Sequence, residues 1–303
     1  METIEHLVLS GSGPNLILQL ACLKHFYNNN TLIPSKLKSV YGVSAGATLG
    51  VFVILGIPID EIINYAIERP WDKVFAITVD NLLECNDNGG LWSPSVIRDV
   101  IVPFLYATDT PLDITLSQFY EKYPIDLHVI VTELEGFCSI DMNHHDYPTM
   151  KLLDVLQMSC LIPIMFSPFI YEGKHYVDGG VTENYPLQRC LDRVPVEDHN
   201  KVLGIRIYKR YKPKEDIPYT TIYILQFILK QLLDIASKNR SDVLCKYDIL
   251  CEPDYSLADP RLWKLFTSGE EERKQMLTTS ITYIEKLFSI VETGGQELIQ
   301  TSD

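Results

Sequence analysis

The chain has 303 residues, 46% of them hydrophobic, and a formal net charge of −14. That length can bury a large core and allows one or two domains, while the acidic balance excludes a nucleic-acid partner and strong adsorption of the whole molecule to an anionic membrane. The seven cysteines are scattered with no C-x-x-C pair, the first five residues hold no apolar signal-peptide core, and no apolar run reaches the length of a membrane span, so the chain reads as a cytosolic protein with reduced thiols.

Residues 6–10 read as a short apolar strand that runs into Gly11-Ser12-Gly13, and Pro14 suits the first position of a helix reaching about residue 27. Residues 38–41 end a second strand, and 45–55 form an apolar, Ala/Gly-rich run that reads as a buried helix. Two successive strand–loop–helix units predict a parallel sheet with helices packed on it. An amphipathic helix follows at 58–68, then a turn cluster at 86–90. Ser93-Pro94 starts a helix to about residue 106, and Thr115-Leu-Ser-Gln118 is a capping box for another. Residues 126–132 are a β-branched strand, with 137–141 as its hairpin partner, and Pro163 follows a helix at 149–159. A strand runs into a turn at 176–180, and another strand spans 201–208. A Pro-rich charged loop at 211–218 precedes helices at 222–236 and 268–292. No repeat, low-complexity tract or linker interrupts residues 1–303, which predicts a single domain with a C-terminal helical part (about 215–303) packed on it.

Between the second strand and its helix lies Gly42-Val43-Ser44-Ala45-Gly46, the G-x-S-x-G pattern of a nucleophile elbow. A serine on so sharp a turn presses its neighbours against the flanking backbone, and glycines two residues either side remove the clashing Cβ atoms. The same glycines also fit a plain strand–helix contact. A serine nucleophile needs a base and an oxyanion hole. Gly11-Ser12-Gly13 offers consecutive backbone N–H groups at a helix N-terminus, where anions bind. A simple turn or a nucleotide loop is the competing reading, although Leu16 stands where the third glycine of G-x-G-x-x-G belongs. For the base, Asp178 precedes Gly179-Gly180, a pair equally common at strand ends. His199, the one histidine after Asp178, sits in a polar stretch that reads as a solvated loop. The serine–acid–histidine hydrolase fold is disfavoured further because its elbow follows several strands, and here one strand–helix unit precedes Ser44.

Other chemistry-bearing residues read as structural. His144-His145-Asp146 has metal-ligand residue types, but adjacent residues of a strand face opposite ways, so a polar loop is expected. Residues 85–90 lack the following acidic ligand of a calcium loop. Asn239-Arg240-Ser241 is a glycosylation sequon without meaning in an unsecreted chain. Cys160 has no neighbouring base signature and reads as a small core residue.

Three segments in order, Ser10-Gly11-Ser12-Gly13, Gly42-Val43-Ser44-Ala45-Gly46 and Asp178-Gly179-Gly180, resemble the motifs of patatin-like phospholipases. Met158-Ser-Cys-Leu-Ile-Pro163, Pro168 and Asn184-Tyr-Pro186 are similar to the run around that family's aspartate, and the likeness covers about the first two thirds of the chain. The resemblance implies a three-layer α/β/α sandwich with a mainly parallel central sheet. It implies a Ser–Asp dyad with Ser44 as nucleophile, Asp178 as general base, Gly11, Ser12 and Gly13 as the oxyanion hole, and Gly42, Gly46, Gly179 and Gly180 as motif glycines. It implies no metal or cofactor. The substrate class is a membrane glycerolipid, cleaved in the phospholipase A or lysophospholipase manner by a cytoplasmic protein that visits the membrane surface. An activating protein partner is left open. The family's loop usually reads Gly-Gly-Gly-x-Arg/Lys-Gly; here Ser12, Asn15 and Leu16 replace the middle glycine, the basic residue and the last glycine. Losing that cation puts a phosphate-headgroup preference in doubt and keeps two other readings open: a general esterase of neutral lipids or lysolipids, and a decayed lipid-binding scaffold. Lys209, Arg210, Lys212 and Lys214, followed by the apolar run 222–233, suggest either a core helix behind a solvated loop or a membrane dock.

Overall fold

The computed structural model of the chain describes residues 2–76, 78–208, 228, 245–255 and 260–292. In chain order, β1 (His6–Leu9) leads through a short 3₁₀ turn into α1 (Leu16–Asn28), and β2 (Ser39–Val43) into α2 (Ala45–Ile54). There follow α3 (Ile59–Glu68), α4 (Trp71–Val74), α5 (Val79–Asn88), β3 (Gly90–Trp92), α6 (Ser95–Ala107) and α7 (Leu116–Lys122). Then come β4 (Asp126–Glu133), β5 (Cys138–Met142), α8 (Leu152–Cys160), β6 (Ile164–Phe166), β7 (Phe169–Tyr171), β8 (Lys174–Asp178), α9 (Leu187–Arg193), β9 (Val202–Ile207) and β10 (Tyr247–Cys251). Two more helices, Pro260–Ser268 and Glu270–Glu292, complete the described elements.

The strands lie in the order β10-β9-β1-β2-β4-β8-β7, with β5 also on β4. The pairs from β10 to β4 along this path are parallel, and β5, β7 and β8 join antiparallel. Alternation along the buried strands sorts side chains onto two faces. Leu7, Leu9 and Val40 join the larger core with α1, α2, α3 and α8, whereas Val8 and Tyr41 join a second cluster with Leu187, Cys190 and Leu191 of α9. This is a three-layer α/β/α arrangement around a mainly parallel sheet.

The register of β4 sets up the site. One edge of β4 carries β5 from Val129 to Glu133. The other edge carries β2 as far as the pair Val43–Ile130, and β8 from the pair Val131–Asp178 onward. The two strands therefore meet end to end on one neighbour, which brings the last residue of β8 beside the residue that follows β2.

Three expectations need correction. Residues 86–88 are the end of α5, which starts from a Thr78–Asn81 capping box; Gly89 alone turns the chain, with φ +71°, and Gly90 already opens β3. The helix expected over 268–292 is present as Glu270–Glu292, and a break at Gly269 separates it from a further helix, Pro260–Ser268. The buried guanidinium of Arg273 holds that break, donating to the carbonyls of Phe266 (2.9 Å), Ile67 (2.7 Å) and Arg69 (3.0 Å) at neighbouring helix ends. The part expected to be helical beyond residue 215 contains β10, the strand next to β9 in the sheet. His199 is buried rather than solvated: its Nε2 lies 3.1 Å from both the Leu191 and the Val194 carbonyl. The basic cluster 209–214, the helix expected at 222–236 apart from residue 228, and the sequon at 239–241 lie outside the described residues. Among the described residues, no helix is long and apolar enough to cross a membrane.

Candidate active site

Ser44 stands between β2 and α2 with φ +54° and ψ −127°, a conformation that strains any residue with a Cβ. Its surroundings enforce that conformation. A Cβ on Gly46 would lie 2.4 Å from the Ser10 carbonyl oxygen, and one on Gly42 2.5 Å from Ala47 Cα. Both glycines are therefore required by close backbone approach, and α2 starts immediately after the serine. The Ser44 N–H donates to the Ser159 hydroxyl (2.8 Å), which donates to the Ile130 carbonyl of β4 (2.7 Å). This fully buried hydroxyl ties the strained turn to the sheet. Ser159→Ala is expected to leave the Ser44 N–H without an acceptor, a cost of about 1–3 kcal/mol, and a lowered midpoint of thermal or urea denaturation checks it.

Asp178, at the end of β8, is 3% exposed. Its Oδ1 accepts from the Gly180 N–H at 2.8 Å, and its Oδ2 is buried with no hydrogen-bond partner among the described residues. Burial pushes its pKa up to about 7, against the opposing pull of the Ser44 hydroxyl and the Gly180 N–H. The arrangement leaves a desolvated carboxyl, poised near neutrality, with one free oxygen beside a serine hydroxyl.

The glycine loop borders the same small pocket, which Gly11, Ser12, Gly13, Ser44, Asp178 and Asn184 line together. Its three amides are not equivalent. The Gly11 N–H donates to the Asn184 carbonyl (3.1 Å), and the Asn184 side chain returns a bond to the Gly11 carbonyl (3.2 Å). That amide is thus committed to structure, which corrects its expected place in an oxyanion hole. Among the described residues, the Ser12 and Gly13 N–H groups have no acceptor. Serine is tolerated at position 12 because φ there is −143°, while the positive φ of +51° falls on Gly13. The Ser12 hydroxyl donates to Gln19 (2.8 Å), whose amide donates to the Ser10 carbonyl (2.8 Å), bracing the loop from behind. Asn15 is also turned to structure, donating to the Tyr255 carbonyl at 3.1 Å.

Beyond Ser44 the pocket opens into a second, larger cavity. Its wall is apolar, with Leu49, Phe52, Trp71, Phe75, Ile101 and Phe266 among its residues and, among the described residues, no Lys, Arg, Asp or Glu. The two cavities share Gly13, Ser44 and Ile162. Cys160 lines the apolar cavity; its thiol lies 3.6 Å from the Thr48 hydroxyl, and burial followed by the charge of Asp178 pushes its pKa up to about 12. It stays a protonated thiol and does not compete as a nucleophile. Ser159, Asn184, Gln19 and the aromatic wall were not picked out from sequence. Ser159 and Asn184 fall inside the stretches that resemble the family, the only signal they carried.

A model of the patatin-like phospholipase family matches residues 7–191. An uncharacterized protein of Acanthamoeba polyphaga mimivirus is 27% identical over 202 residues, covering 67% of this chain and 65% of its own length. A probable lipid hydrolase of Invertebrate iridescent virus 6 is 27% identical over 198 residues, covering 64% of each. The chain thus spans just under two thirds of these relatives' length. Among solved structures, VipD from Legionella pneumophila is similar over 91% of this chain and 67% of its own, with TM-score 0.47 and 16% identity. The type III effector ExoU is similar over 93% of this chain and 52% of its own, with TM-score 0.47 and 12% identity.

Proposed function

The chain belongs to the patatin-like phospholipase family, and from that premise we propose that it is a lipid acyl hydrolase working through a Ser44–Asp178 dyad on glycerolipids at a membrane surface. The observation that carries this reading is the junction at Ser44 of a polar pocket holding a neutral-range carboxyl and a cavity whose described lining is apolar. In this reading, the Ser44 hydroxyl oxygen attacks the ester carbonyl and its proton passes to Asp178 Oδ2. The carbonyl oxygen gains the negative charge and is met by the Ser12 and Gly13 N–H groups and the N-terminal dipole of α2. Collapse expels the glycerol-side alcohol, which takes the proton back from Asp178. The acyl chain, now esterified to Ser44, lies in the apolar cavity. Water then attacks with Asp178 again as base, and the fatty acid and the free serine are regenerated.

The base has to be ionised to take the proton. For an uncharged ester, kcat/KM is therefore expected to rise about tenfold per pH unit on the acid side and to level off above about 7, near the Asp178 value. A profile flat from pH 5 to 8 removes Asp178 from the role.

One observation favours a second reading of the substrate. Among the described residues, no Lys or Arg lines either cavity, and Asn15, at the position of the family's basic residue, is tied to Tyr255. None of the described residues at the site is a cation that would select a phosphate, so neutral lipids and lysolipids compete with diacyl phospholipids. Release of fatty acid from phosphatidylcholine, lysophosphatidylcholine and diacylglycerol, measured with wild type and Ser44→Ala, decides between them. The same assay tests the cavity. Val100→Phe, which narrows it, is expected to lower kcat/KM for a sixteen-carbon ester by about 10- to 100-fold, as two or so methylenes lose burial, and to spare a butyrate ester. Equal loss on both chains assigns the acyl group elsewhere.

A further inference from the structure

At the opposite end of β4 from the Ser44 site, Asp126, His144 and His145 converge. Their ligand atoms all lie within 4.8 Å of one another. Asp126 is five residues before Val131, the partner of Asp178, so the cluster is about 16 Å away along the strand. We propose that these three side chains form a binding site for a borderline divalent metal ion of the zinc class, outside the hydrolytic machinery.

The histidines do not occupy a strand. They follow β5 in a turn built by Asn143, whose Oδ1 accepts from the His145 and Asp146 N–H groups at 3.0 Å each. The turn puts both imidazoles on one side, with ring centroids 3.8 Å apart. The third ligand comes from β4 and not from the adjacent Asp146, which is engaged with the Asn143 amide. Two imidazole nitrogens and one carboxylate oxygen are a donor set suited to zinc, and solvent at the exposed His145 completes four-coordination.

The spacings are close to what such an ion requires. Bonds of about 2.0–2.1 Å in a tetrahedron separate ligand atoms by about 3.3 Å. Asp126 Oδ1 lies 3.1 Å from His144 Nδ1, and Asp126 Oδ2 lies 3.8 Å from His145 Nε2. The first two atoms are buried, yet neither makes a hydrogen bond within the described residues despite their proximity. They are not directed at each other, as expected of atoms that share a third partner. Tyr120 stacks on His144 at 3.8 Å and 9°, which fixes the ring. His128 lies between two carboxylates, Nε2 at 3.1 Å from Asp126 Oδ2 and Nδ1 at 2.9 Å from Asp141 Oδ1, and Arg193 pairs with Asp141 at 3.1 Å. The carboxylate ligand is thereby oriented from behind, the arrangement that tunes metal sites.

The test is titration of EDTA-treated full-length protein with Zn²⁺ against a chromophoric chelator, and with Co²⁺ by absorption. The expected result is one equivalent bound, with visible Co²⁺ bands of nitrogen and oxygen ligation and no thiolate charge-transfer band. His145→Ala, at an exposed position that folding does not depend on, is expected to weaken binding by about 10- to 100-fold, with ester hydrolysis unchanged. His144→Ala combined with His145→Ala is expected to abolish it. No binding at micromolar metal, affinity unaltered in His145→Ala, or a thiolate band that assigns the ion to cysteines overturns the proposal.

Discussion

Asp178→Asn is expected to lower ester hydrolysis by about 10⁴-fold or more, and Ser44→Ala by about 10⁶-fold, with the fold kept in both. The size follows from the dyad having no third member to share the work. Asparagine keeps the shape of the side chain and its bond from the Gly180 N–H, but cannot accept the serine proton. Among the described residues, no histidine lines the polar pocket, and His199 is occupied by two backbone carbonyls at 3.1 Å. His199→Ala is therefore expected to leave turnover of folded protein within a few-fold of wild type. Steady-state kinetics on a soluble ester check all three. If His199→Ala were as damaging per folded molecule as Asp178→Asn, a triad would replace the dyad.

The same substitution is expected to stabilise the protein at alkaline pH. Asp178 has its pKa raised from an ordinary 3.8 to about 7 in the folded chain. Between those values the native state holds a proton that the unfolded state has lost, so stability falls as pH rises through this window. The group's contribution is full below about pH 4 and gone above about pH 7. The difference corresponds to about 4 kcal/mol. Asparagine does not ionise, so Asp178→Asn should exceed wild type in unfolding free energy by up to about that amount at pH 8 and match it near pH 4. Urea denaturation at both pH values is the measurement. A variant less stable than wild type at pH 8 would show that the carboxylate is not held at a cost to the fold. Loss of activity with gain of stability separates a functional carboxyl from a structural one.

How much of this was legible in the sequence depended on whether the cause was local. The elbow was readable because Gly42 and Gly46 answer to contacts within a few residues or with the adjacent strand, as their blocked Cβ positions show. The strand ends that bring Asp178 to Ser44 were readable only in part. The strands at 126–132 and 176–180 stood out by β-branched residues and by a turn after Asp178, but the end-to-end meeting of β2 and β8 on β4 is a matter of register. The apolar cavity was invisible because Phe52, Trp71, Phe75, Ile101 and Phe266 come from segments spread over more than half the chain. The commitment of the Gly11 amide depended on Asn184, far along the chain. Helix α5 was missed because its start rests on the Thr78–Asn81 box, while Asn86, Asp87 and Asn88 look like turn residues. The pair His144-His145 was judged on strand geometry, whereas Asn143 places it in a turn that faces Asp126.

The dyad is tested most directly by labelling with a fluorophosphonate, which traps an activated serine and needs no lipid surface. Mass analysis of the digested protein should find one adduct, on Ser44. The adduct should be absent in Ser44→Ala, slowed by at least about 100-fold in Asp178→Asn, and formed at the wild-type rate in His199→Ala. An adduct on another residue, or an Asp178→Asn protein that labels as fast as wild type, would contradict the account.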